Sequence, residues 1–176
     1  MTAMERVFFV ALLVVTIGLP LQAQDQSVGI AAGTSSALSS GFSLSLDHMV
    51  SEVSYSTTID LGAEIRIRLG QVKTDDETFT EAFETLDDVT IEYADLLVEY
   101  RFYEPFGSST LFLGPGAYKR SVDGEEESAF GYSAGVAALF PVTRRTGVTA
   151  EAAYHWADFD KDFDFVNFNV GLRFAF

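Results

Sequence analysis

The chain contains no cysteine. Thiol catalysis, thiolate metal sites and disulfide cross-links are therefore excluded. Basic residues are also scarce: 11 Lys and Arg stand against 26 Asp and Glu, a net charge of −15. So acidic a chain repels phosphates, which argues against nucleic acid as a partner. No Gly-rich phosphate loop, zinc-ligand spacing or basic patch occurs. Beyond residue 17 no second long apolar run exists, and the mean hydropathy is only slightly positive.

The one apolar run is Val7 to Ile17, VFFVALLVVTI. Arg6 precedes it, Gly18 and Pro20 end it, and Leu21-Gln22-Ala23 offers a small residue for cleavage. That order is the order of a secretory signal peptide. The run is shorter than the roughly 20 residues a spanning helix needs. A membrane anchor is the alternative. The expected organisation is a signal peptide over 1–23 and one mature domain over 24–176.

In the mature part the strongest pattern is alternation with period two, the mark of strands. From Thr58 to Gly70 one face reads Ile59, Leu61, Ala63, Ile65, Ile67, Leu69, and the other carries Asp60, Glu64, Arg66 and Arg68. Phe130, Tyr132, Ala134, Val136, Ala138 and Phe140 share a face, opposite Gly131, Ser133, Gly135 and Ala137. Val148, Ala150, Ala152, Tyr154 and Trp156 alternate with Thr149, Glu151, Ala153 and His155. Leu96, Val98, Tyr100 and Phe102 alternate with Asp95, Leu97, Glu99 and Arg101. Leu111 to Ser121 places Tyr118 and Arg120 on its polar face. Val28 to Ser35 and Phe42 to Asp47 are shorter, Ser-rich candidates that complete a count of eight strands.

The last strand carries most weight. Val166, Phe168, Val170, Leu172, Phe174 and Phe176 form one face, against Phe165, Asn167, Asn169, Gly171, Arg173 and Ala175. Connections alternate in kind from Gln71 onward. Gln71 to Asp88, Asp123 to Ser128 (DGEEES) and Asp158 to Asp162 (DFDKD) are acidic, whereas Glu104–Gly107 and Arg144–Gly147 are short turns. An up-and-down barrel with loops at one end and turns at the other produces that alternation. A Greek-key sandwich has no reason for it.

An aromatic, alternating strand that ends on Phe resembles the C-terminal signature of bacterial outer-membrane barrels. The whole mature chain resembles the small eight-stranded members, such as the OmpA membrane domain and OmpX. The resemblance implies an all-β, antiparallel, up-and-down transmembrane barrel in a Gram-negative outer membrane. Its acidic loops would face outward. It also implies that Phe168, Val170, Leu172, Phe174 and Phe176 are read by the outer-membrane insertion machinery. The expected surroundings are outer-membrane lipid and lipopolysaccharide, with the barrel monomeric.

Asp60, Glu64, Arg66, Arg68, Asp95, Glu99, Arg101, Arg120, Glu151, His155 and Arg173 then point into the barrel. An eight-stranded interior is only wide enough for side chains to fill it, so buried charges must pair. A packed ionic lumen is expected. A narrow channel is the alternative, and a soluble sandwich or lipocalin-like carrier is a further one.

A third alternative is enzymatic, because some eight-stranded barrels modify lipid A with a closely placed His and Ser. Here His155 is followed by Trp156 and Ala157, and His48 has Ser51 three residues on. Glu151 and His155 share a face without a nucleophile. No catalytic residue and no cofactor is expected. Asp158, Asp160 and Asp162 offer oxygen ligands for a cation, but Lys161 intrudes and a solvated loop accounts for them.

Overall fold

The computed structural model describes residues 26–38, 48–60, 62–74, 89–122, 124–159 and 163–176. The expected signal peptide over 1–23 lies outside the described residues. So do the candidate strand Phe42–Asp47, and Leu61, Asp160 and Asp162.

Eight antiparallel strands close into a barrel in sequence order, with no helix among the described residues. They are β1 Gln26–Ala37, β2 His48–Asp60, β3 Ala63–Thr74, β4 Val89–Glu104, β5 Gly107–Val122, β6 Glu125–Pro141, β7 Thr146–Ala157 and β8 Phe163–Ala175. Closure is made by β1 against β8, from Ser27↔Ala175 to Ala37↔Phe165. Closing the sheet leaves no unpaired strand edge.

Two strands differ from expectation. The second strand is His48–Asp60, and Thr58–Gly70 is not one strand but a hairpin. Gly62 makes its turn at φ 79°, a conformation that suits glycine. Pairing runs Thr58↔Glu64 and then Asp60↔Ala63, so Ile59 is the extra residue of a β-bulge. The β5–β6 connection is also tighter than DGEEES suggests. Gly124 turns it at φ 82°, and Glu125, Glu126 and Glu127 already pair with Val122, Ser121 and Arg120.

Four connections cluster at one end, here the loop end: β1–β2, β3–β4, β5–β6 and β7–β8. The other three, with Gln26 and Phe176, form the turn end. The outward face is apolar. Ile30, Val53, Leu96, Val98, Leu111, Leu113, Val136, Val170 and Leu172 are all exposed on it. Aromatics bound this belt. Phe130, Tyr132, Tyr154 and Trp156 stand toward the loop end, with Tyr132 stacked on Trp156 at 4.8 Å. Tyr100, Phe102, Phe140 and Phe174 stand toward the turn end. Phe130 and Phe140 are ten residues apart on β6, roughly 33 Å along the strand. At the tilt of ~40° usual in such barrels this gives ~25 Å of height, the thickness of an outer-membrane apolar band.

Inside, the fill has two storeys. Toward the loop end Val50, Val72, Val89, Ile91, Tyr93, Tyr118, Phe163 and Phe165 form one buried cluster. Below it lies the charged layer. The bore is narrow enough that large inward side chains lie across glycines. A Cβ on Gly70 would stand 2.2 Å from the Tyr93 ring, and one on Gly135 2.4 Å from the Phe112 ring.

Candidate functional site

The charged layer is built from the inward positions of β2, β3, β4, β7 and β8. Its centre is Arg68, which is fully buried. Arg68 Nε and Nη2 both donate to Asp95 Oδ2, at 2.9 and 2.6 Å. Nη2 also donates to Ser133 Oγ at 2.9 Å, Nη1 donates to Glu151, and Glu52 lies 3.9 Å from Nη1. Arg66 continues the chain, with Nη1 donating to Glu151 Oε2 at 2.6 Å and Nε 2.8 Å from Glu99 Oε1. Phe112 lies under both guanidiniums, at 4.7 Å from Arg66 Cζ and 5.3 Å from Arg68 Cζ. Such cation–π contacts add to the ion pairs where water is excluded.

Toward the turn end Glu64 is shared. Arg101 Nη2 approaches Oε1 to 2.7 Å and Arg173 Nη2 donates to Oε2. Arg173 also donates to Ser27 Oγ at 2.7 Å and lies 3.7 Å from Glu99. These bonds join four arginines and five carboxylates into one connected set. A buried charge is tolerable only when paired in this way, because an isolated one costs many kcal/mol.

His155 sits where the two storeys meet. Its ring stacks on Phe165 at 4.6 Å, with Nδ1 3.2 Å from Tyr118 Oη and Nε2 3.2 Å from Asn167 Nδ2. Tyr93 Oη donates to Glu52 and accepts from Asn167 Nδ2 at 2.9 Å. Ser133 and His155 are opposed across β6 and β7, and Asp95 is near both. This trio lacks the geometry of a hydrolytic triad. Ser133 Oγ donates to Asp95 Oδ2 at 3.2 Å, whereas the His155 nitrogens turn to Tyr118 and Asn167. All three residues are buried beneath the apolar storey.

Of the residues assigned to the lumen from sequence, the structure brings together Glu64, Arg66, Arg68, Asp95, Glu99, Arg101, Glu151 and Arg173, with His155 touching the set. Asp60 is a correction: the bulge and turn put it at the exposed end of β2. Arg120 pairs with Glu127 and lies 5.1 Å over the buried Phe159 ring. Sequence reasoning missed Glu52, Tyr93 and Asn167 as partners. Tyr93 shares inward parity with Asp95 and Glu99, which is the signal that could have found it. Phe168, Val170, Leu172 and Phe174 lie on the outward face of β8, and Phe176 follows it, exposed. Asp158 is exposed beside the loop end, and among the described residues no group of three or more acidic or His side chains could hold a metal.

A closed eight-stranded bore, filled by side chains and wrapped in an apolar belt between aromatic rims, is the fold of the small outer-membrane barrels. No family model matches the sequence, and no curated protein does. Solved structures match in fold. Neisserial surface protein A is 13% identical, with 86% of this chain and 96% of that chain covered, at a TM-score of 0.61. Ail, the attachment invasion locus protein of Yersinia pestis, is 18% identical over 88% and 99%, at 0.56. The N-terminal β-barrel domain of Pseudomonas aeruginosa OprF is 15% identical over 87% and 100%, at 0.58.

Proposed function

We propose that this is an outer-membrane protein with a structural or surface-interaction role, non-catalytic and closed to ions. On this reading residues 1–23 direct export and are removed. The apolar belt then faces lipid, and the loop end faces outward among lipopolysaccharide. The observation that carries the reading is the occupied lumen inside an apolar exterior. A soluble carrier would put its apolar face inward and leave a cavity for its cargo. A channel would need a continuous wet path past Tyr93, Phe165 and Arg68, all of them buried.

The face of Phe168, Val170, Leu172, Phe174 and Phe176 would serve the insertion machinery. The acidic loops narrow the class of surface partner. One Ail structure is a complex with the heparin analogue sucrose octasulfate. A polyanion suits this chain poorly, because its net charge is −15. A cationic partner, or divalent cations bridging to lipopolysaccharide phosphates, suits it better.

Cell fractionation combined with single-channel recording tests the proposal. The expected result is protein in the outer-membrane fraction and no unitary conductance in planar bilayers. Recovery in the soluble periplasmic fraction would overturn membrane placement, and steady conductance would replace the closed barrel with a narrow channel.

A further inference from the structure

The turn end gathers arginines around one opening. A cavity of about 130 Å³ opens there, and its lining includes Arg101, Arg144, Arg145 and Arg173 with Glu64 as the one acid. Glu64 is already shared by Arg101 and Arg173. Arg144 and Arg145 lie on the exposed β6–β7 turn, and among the described residues neither pairs with a carboxylate. Arg101 Nε is buried and has no hydrogen-bond partner among the described residues. Four arginines thus meet at one small, open-mouthed cavity, Arg101 and Arg173 already paired with Glu64 and the Arg144–Arg145 turn bringing charge that no lining acid offsets. A guanidinium fork matches the tetrahedral oxygens of a phosphate better than it matches a point anion, and charge-assisted bonds of that kind are the strong ones.

From this convergence we propose that the turn-end mouth is a binding site for a phosphate oxyanion, held between Arg101, Arg173 and the Arg144–Arg145 turn. Two sources share this chemistry: free phosphate, and the phosphodiester of a lipid headgroup. Phe140 and Phe174 belong to the aromatic rim at this end, so the turn stands at headgroup depth if the barrel spans a membrane. The lipid source therefore rests on the proposed membrane placement, whereas the oxyanion site rests on the arginines alone.

The experiment uses the mature chain folded in octyl glucoside, a detergent without phosphate. Inorganic phosphate is titrated calorimetrically. Saturable binding is expected, weakened at least fivefold in the double variant Arg144→Ala/Arg145→Ala. That variant alters only an exposed turn, and unchanged far-UV circular dichroism verifies its fold. Arg101→Gln should weaken binding further. The second arm places the protein in nanodiscs containing phosphatidylglycerol. Suppressed phosphate binding there, with lipid phosphorus contacts to Arg144 or Arg145 by nuclear magnetic resonance, identifies the headgroup as occupant. Undiminished phosphate binding in the nanodisc identifies free phosphate. No binding in detergent and no lipid contact in the nanodisc would overturn the site, as would binding indifferent to both sets of arginine variants. Failure of membrane fractionation would remove only the lipid source.

Discussion

Arg68 on β3 and Asp95 on β4 are directly opposed in register, and two nitrogens of one guanidinium donate to a single carboxylate oxygen. Both side chains are fully excluded from solvent. Asp95→Asn keeps the shape and removes the charge, leaving Arg68 with less than it needs. Breaking a buried pair from one side costs about 3–5 kcal/mol. Urea unfolding in lipid vesicles should show a loss of that order. A loss under 1 kcal/mol would mean that water reaches Arg68.

Glu52 and Tyr93 link the charged storey to the aromatic one. The Tyr93 hydroxyl donates to Glu52 and accepts from Asn167, so it couples β2, β4 and β8. A double-mutant cycle with Glu52→Gln and Tyr93→Phe should give a coupling above ~0.5 kcal/mol. Strict additivity would dissolve that link.

On β6, neighbouring residues test the wall itself. Val136 is exposed on the outer face, while Gly135 faces in under Phe112. Val136→Arg should cost about 2–4 kcal/mol in a bilayer if it lies near mid-depth. In Gly135→Ala the added Cβ would stand 2.2 Å from the Ala152 carbonyl oxygen, and overpacking of this kind costs about 1–3 kcal/mol. Stability of Val136→Arg equal to wild type in lipid would invert the assignment of faces.

Phe165 belongs to the apolar storey and stacks on His155. Phe165→Ala should cost about 3–5 kcal/mol through the cavity it leaves. It should remain electrically silent, because the Arg68–Asp95–Glu151 cluster still blocks the bore. Stepwise openings in this variant would show that the aromatic storey alone keeps ions out.

Phe176 is exposed and held by one backbone bond, its N–H donating to the Gln26 carbonyl at 3.0 Å. Phe176→Ala should therefore change the unfolding midpoint of refolded barrels little. If the terminal aromatic serves insertion, the same change should lower the amount reaching the outer membrane in cells. Equal membrane levels would remove that role.

Alternation made most strands legible, because inward and outward residues of β4 to β8 differ in kind as well as position. It failed at the β2–β3 hairpin for a geometric reason. Directly opposed residues in an antiparallel pair point to the same side, and here partners such as Thr57↔Ile65 and Ser56↔Arg66 have the same parity. The bulge at Ile59 restores that parity after the turn, so the alternation runs through the hairpin as though the strand never ended. Only Gly62 marks the reversal. The Ser-rich stretch of β2, with Glu52 in its midst, offers weak contrast between faces, and with β2 misplaced Glu52 could not be found. The pairing pattern of the charges was beyond sequence, since Arg66 meets Glu151 from 85 positions away.

The two storeys make the interior a blind well. Side-chain exposure falls from 16% at Arg173 and 13% at Arg101, through 9% at Arg66, to none at Arg68 and Asp95. Above them the aromatic storey acts as a stopper. Exposure thus declines inward from the turn end and reaches zero at Arg68. A paramagnetic relaxation agent too large to cross the wall should broaden Arg101 and Arg173 when supplied on that side, and neither when supplied at the loops. The bore thus has a foot whose charges border solvent and, above Arg68, a dry aromatic plug.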